Sequence, residues 1–302
     1  MNKKICLSAA LTLVSAAAFA AGPGTTGASF LKAGVGAREL ALGSAASVLA
    51  EGANSVNWNP AGLAGLKTKS LSASYNMLFL DESQGFLGYA SPLSGGTGVV
   101  AGGVNYLTVT NIEKRATDTE AADSKFDNTN AAYTVSYARP EVASGLDLGA
   151  SLKYISTKLD SNSDQAVAVD LGSVYRLNEA WKAAFVVQNL GGSIGPDKLP
   201  LTVKTGASTS FLQGKLAAAA DVDWLANDER FYLDLGAEYL LSKNLAFRAG
   251  YQFGHSQDKL GSGLVGLGAG IGLKFDRFAL DYAYVPFGDL GDTHRMTLGF
   301  VF

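Results

Sequence analysis

Phe231-Tyr232-Leu233-Asp234-Leu235-Gly236-Ala237-Glu238-Tyr239 decides the fold of this chain: its odd positions are apolar, and Asp234 and Glu238 share the even face with Gly236. Side chains that alternate with period 2 stand on opposite faces of a strand. The same split recurs in Leu146 to Tyr154, where Asp147 and Lys153 oppose Leu148, Ala150 and Leu152. It returns in Leu245 to Phe253, where Arg248 and Gln252 oppose Phe247, Ala249 and Tyr251. Strands with an apolar outside and a polar, Gly-rich inside, repeated along a chain, predict a transmembrane β-barrel. Lipid admits only helices and closed barrels, so most other folds fall away.

From Ser70 onward about fourteen such strands follow, near 70–80, 84–91, 97–110, 129–138, 145–157, 165–176, 180–189, 200–211, 215–225, 229–240, 244–253, 264–275, 277–285 and 293–302. An even number suits a single-chain bacterial barrel. Links at 177–179, 212–214, 242–243 and 276 are tight, whereas 111–128, 158–164, 190–199, 254–263 and 286–292 are longer and polar. That alternation assigns the tight links to periplasmic turns and the others to outer loops. Phe231 and Tyr239 lie eight residues apart on one face, roughly 26 Å along a strand, which suits two aromatic girdles. Asp147, Lys153, Asp170, Asp234, Glu238 and Arg248 are the candidate lumen-facing polar residues.

The two ends of the chain carry targeting signals. Lys3 and Lys4, the apolar run Ile5 to Val14 and the small-x-small triplet Ala18-Phe19-Ala20 read as a signal peptide over 1–20, cut before Ala21. Cys6, the only cysteine, lies inside that segment, so the mature chain is expected to hold no thiol, disulfide or Cys-based metal site. Without Lys3 and Lys4 the chain keeps 22 basic and 27 acidic residues, a net −5 that argues against nucleic acid as a partner. Met296-Thr297-Leu298-Gly299-Phe300-Val301-Phe302 alternates and ends on an aromatic residue, which resembles the terminal strand signal read by the barrel assembly machinery; Phe300 and Phe302 carry it.

Residues 21–69 behave differently. Phe30 to Gly43 shows no alternation and is rich in small residues, and the segment closes on Asn57-Trp58-Asn59-Pro60-Ala61-Gly62-Leu63. Pro60 biases Asn59 away from helix. The reading is a compact plug of short helical turns in the lumen, with the barrel over 70–302. Gly266-x-Gly268-x-Gly270-x-Gly272 is no dinucleotide loop, because Leu273-Lys274-Phe275 continues the alternation where a helix should start. It is a strand whose inward face is bare, leaving room for a plug or ligand near the wall; plain backbone packing is the alternative. Gly102-Gly103 marks either a sideways opening in the third strand or a tolerated bulge.

Catalysis finds little support. His255 and His294 are the only histidines, both assigned to outer loops, and no base–nucleophile pairing is evident. Glu113, Asp118, Glu120, Asp123 and Asp127 match no calcium-loop spacing and read as a solvated acidic loop. No cofactor, metal or enzymatic activity is expected.

Phe30-Leu31-Lys32 with Gly34-Val35-Gly36-Ala37-Arg38, then Trp58-Asn59-Pro60-Ala61-Gly62-Leu63, resemble the hatch of the PorV/PorQ family, itself related to the FadL family of hydrophobic-compound transporters. Val187-Gln188-Asn189-Leu190-Gly191 with Leu199-Pro200, and Asp281 to Gly291 with Thr293-His294-Arg295, are similar to its mid-barrel segment and last hairpin. The resemblance implies a fourteen-strand outer-membrane barrel with an N-terminal hatch built around Gly34, Gly36, Arg38, Trp58, Asn59, Pro60 and Ala61. FadL-type members imply passive passage of hydrophobic, fatty-acid-like molecules. PorV-type members imply type IX secretion, with secreted cargo proteins as partners. Outer-membrane lipid is a partner under both.

Overall fold

A computed structural model describes residues 24–78, 82–256 and 260–302; the signal segment and Cys6 lie outside these residues. Sixteen strands form among them: β1 (Ser70–Met77), β2 (Glu82–Pro92), β3 (Val99–Lys114), β4 (Ser124–Ala143), β5 (Leu146–Leu159), β6 (Asn162–Arg176), β7 (Trp181–Gly191), β8 (Ser193–Ile194), β9 (Asp197–Lys198), β10 (Thr202–Phe211), β11 (Leu216–Leu225), β12 (Arg230–Leu240), β13 (Leu245–Phe253), β14 (Leu267–Phe275), β15 (Phe278–Pro286) and β16 (Asp292–Val301). Fourteen close into an antiparallel barrel, with β1 paired to both β2 and β16, while β8 and β9 make a separate two-stranded hairpin.

Alternation sets which face is which. Asp234 is 0% exposed and its neighbour Leu235 is 40% exposed. Tyr75, Tyr133, Tyr137, Phe231, Tyr239 and Phe278 all stand exposed on the outer face. No helix among the described residues is long and apolar enough to cross a membrane.

Two expected outer loops turn out otherwise. The 111–128 link is half strand, with a loop only over 115–123, because pairing resumes past a bulge at Val109/Ile112, with Ile112 opposite Phe126. Asn111 takes a positive φ there, and its N–H donates to Asp127 Oδ1. Polar side chains do not stop a hairpin ladder from continuing beyond the lipid. The 158–164 link is likewise a tight turn at 160–161, since Leu159 pairs with Asn162. At Gly102-Gly103 both ladders run unbroken, so the third strand stays paired on either side.

Residues 24–69 lie inside the barrel. They form α1 (Ala37–Ala41), α2 (Ser55–Trp58) and short 3-10 turns at Ser29–Lys32, Gly52–Asn54 and Pro60–Gly65. The segment runs the length of the lumen. Gly27 N–H donates to Lys198 O in the outer hairpin, and Lys69 O accepts from Phe302 N–H at the rim of tight turns.

A plugged lumen with two vestibules

The plug is built from its turns outward. Asn59, ahead of Pro60, is extended, and Pro60 opens the following helical turn. Asn59 Oδ1 accepts from Ala61 N–H at 3.0 Å, while its Nδ2 donates to Ser47 O at 2.7 Å and to Ser173 O in the wall at 3.3 Å. Trp58 Nε1 donates to Val35 O at 2.8 Å, and a Cβ on Gly34 would meet the Trp58 ring at 2.6 Å. Gly36 turns with φ 87° to start α1.

Bare wall positions receive the plug's backbone and short side chains. Gly149 and Gly172 face Pro60 and Asn59, Gly206 faces Ser47, Gly236 and Gly250 face Leu42, and Gly268 and Gly270 face Leu40 and Ala41. The inward glycines therefore seat a plug. Gly266 departs from the expectation: it precedes β14 with φ 98° and packs against Gln252 and His255, so it shapes a turn. Gly272 makes room for the Arg248 guanidinium and Asp281.

Charge fixes the plug as well. Arg38 Nε and Nη2 grip both oxygens of Glu238 at 2.9 and 2.8 Å, and Nη1 donates to Leu49 O. Arg248 bridges Glu238 to Asp281. Burial works against the Arg38 charge, but the Glu238 carboxylate outweighs it and raises the guanidinium's pKa. Glu39 beside it accepts from Asn54 Nδ2 at 3.1 Å, and burial pushes its carboxyl up to about 7. Ser47 N–H and Oγ both donate to Asp221, each at 2.7 Å. Among the remaining inward residues, Lys153 pairs with Asp170 at 2.7 Å and donates to Asn189, and Asp147 pairs with Arg176. Pairings such as Arg38 with Glu238 join positions 200 apart, and no spacing in the chain announces them.

The plug divides the lumen in two. The outer vestibule, about 590 Å³, has an apolar side made by Phe30, Leu40, Trp58, Leu107, Val285 and Phe287. Its polar side includes Lys204, Asp223, Arg230, His255 and Arg295. Lys204 pairs with Asp223 and also sits 5.3 Å from the Trp58 ring. Arg295 is 3% exposed and forms no ion pair among the described residues; its Nε donates to Thr293 Oγ1. Its inward place on β16, between Thr293 and Thr297, follows from alternation alone. The inner vestibule, about 820 Å³, opens toward the tight turns. Burial lowers the pKa of His255, which stays at the outer mouth beside Gln252 and Tyr232. His294 is not in a loop: it lies on β16 and bonds Tyr282 at 2.7 Å. Phe300 and Phe302 stack edge-on at the inner end of the wall.

No family model matches the chain, and no curated protein matches it. Solved structures do. The TodX deltaS2S3 mutant monoaromatic hydrocarbon channel superposes with a TM-score of 0.61 at 13% identity, covering 89% of this chain and 97% of that one. The chain shares the fold of FadL-type outer-membrane barrels. The Ralstonia pickettii toluene transporter TbuX gives 0.60 at 13% identity over 89% and 97%, and a Pseudomonas aeruginosa FadL homologue gives 0.56 at 12% over 89% and 98%.

Proposed function

We propose that this protein is a FadL-like outer-membrane channel, targeted by a cleaved signal peptide, through which hydrophobic small molecules pass without an energy source. The observation that carries this reading is the outer vestibule. A cavity of about 590 Å³ with aromatic and aliphatic walls removes apolar surface from water, the main gain in binding such a solute. Arg295 and Arg230 at the same cavity favour an amphiphile with an acidic head, such as a fatty-acid-like molecule. The Asn59-Pro60-Ala61 hatch and the 281–295 hairpin support membership of the PorV/PorQ family within this fold.

Organic extraction of the purified protein, followed by mass spectrometry, tests the reading. Recovery of an apolar or acidic amphiphile in stoichiometric amount is expected, with Phe287→Asp or Leu107→Asp lowering it. Extracts free of such molecules, together with co-purification of secreted proteins, would overturn it in favour of a role in type IX secretion.

A further inference from the structure

The two vestibules approach each other at one place. On β12 their linings are Tyr232 and Glu238, on β13 Gln252 and Arg248, and on β15 Val285 and Asp281, always four or more positions apart. On β16 Arg295 lines the outer vestibule and Thr297 the inner one, two positions apart. On the plug the corresponding residues are adjacent, Leu40 and Glu39 of α1. The thinnest partition in the lumen is thus the contact of α1 with β16, flanked by β1, which pairs with β16 and packs on the Gly52–Asn54 turn.

That partition is polar. β1 turns Ser70, Ser72, Ser74 and Asn76 inward, and Ser74 and Asn76 oppose Thr297 and Arg295 across the ladder. Ser72 Oγ, Ser74 Oγ, Asn76 Oδ1 and Arg295 Nη1 are enclosed there without hydrogen-bond partners among the described residues. Enclosed polar atoms in that state are costly, and hydration relieves them. Ala37 N–H donates to Thr297 Oγ1 across this partition but leaves those four atoms unpaired, whereas elsewhere the plug is tied down at Asp221, Ser173 and Glu238.

We propose that this partition is a second, hydrophilic path, which admits water and small anions past a seated plug. The anion preference follows from charge. Arg295 stands at the outer end without an ion pair among the described residues; around the inner vestibule Glu238, Asp147 and Asp281 are paired to arginines, and Lys67, Lys182, Lys243, Lys274 and Arg277 outnumber the remaining acids, Glu39 and Glu51. Fixed positive charge along a narrow path concentrates anions and turns cations away. The path runs beside the apolar cavity and stands whether or not a hydrophobic solute uses that cavity.

The test is single-channel recording of the full mature chain in planar bilayers under a potassium chloride gradient, with slower or faster gel migration before boiling as the check on folding. Small conductance steps with a reversal potential of the chloride sign are expected. Ser72→Leu with Ser74→Leu should remove most of that conductance. Ser72→Ala with Ser74→Ala, which take the hydroxyls without adding bulk, should lower it if the bulkier pair fails to fold. Arg295→Gln should move the reversal potential toward cations, and Arg295→Lys should restore it. A folded wild type with no steps, cation selectivity, or conductance indifferent to both serine pairs would each overturn the proposal.

Discussion

Gly270→Ala isolates what seats the plug. A Cβ at this wall position would lie 2.5 Å from Ala41 Cβ in α1 and 2.6 Å from Tyr282 O. Ordinary contact begins at 3.4 Å, so α1 must retreat by the difference, about 0.9 Å, because neither neighbour can swing away. The same shift takes the 2.8 Å bond from Ala37 N–H to Thr297 Oγ1 beyond 3.5 Å and strains the paired bonds from Arg38 to Glu238. Overpacking costs about 1–3 kcal/mol, and a weakened neutral bond about 1 kcal/mol more. Plug seating should therefore lose roughly 2–4 kcal/mol, a rise of tenfold or more in the unseated population. The wall must yield as well, because Tyr282 O belongs to β15, so gel migration before boiling checks that the barrel still closes. Gly102→Ala is the matched control, because its Cβ would find Thr134 O at 3.6 Å and nothing nearer. Limited proteolysis of residues 24–69 in the folded barrel reads the result. Equal protection of the two variants would refute the claim that wall glycines hold the plug.

Leu235→Arg should cost about 2–4 kcal/mol if that outward site lies near the bilayer midplane, measured as loss of folded barrel in a denaturant titration. Asp234→Asn should cost far less, because Asp234 faces Asp221 across the ladder and loses a like-charge neighbour; equal sensitivity would mean the faces are misassigned. Glu39 has a folded pKa of about 7 against an ordinary 4.5, so the plug binds an extra proton and its stability falls as pH rises between those values, by about 3 kcal/mol in all. Glu39→Gln should abolish that slope, leaving plug protection level between pH 5 and 8, and a variant that keeps the slope would assign it elsewhere. Deleting Phe302, whose N–H closes the rim onto Lys69 O, should impair assembly more than deleting an outer-hairpin residue such as Asp118, as outer-membrane yield will show.

The strands were legible because lipid and lumen impose opposite chemistry on successive residues, and Leu233 to Tyr239 shows it in seven positions. Their outer ends were not, because beyond the lipid that contrast vanishes: Asn128 and Thr129 continue a ladder with polar side chains on both faces. Asn59-Pro60 announced its turn, since both residues act on their own backbone. The seat of the plug stayed hidden, because a bare Gly270 specifies what is missing without naming Ala41 as the neighbour that fills the space. Arg295 was readable as inward from its position between Thr293 and Thr297, whereas its lack of an acidic neighbour depends on strands and loops far away in the chain.

The segment from Gly27 to Lys69 enters at the outer hairpin and leaves at the opposite rim, and the wall then closes by joining β1 to β16. A finished cylinder cannot be threaded by such a length of chain with its bonds to the interior already in place. Two orders of assembly satisfy that: the thread lies along the axis before the last strand meets the first, or the N-terminal segment enters the closed bore unbonded and ties to the wall afterwards.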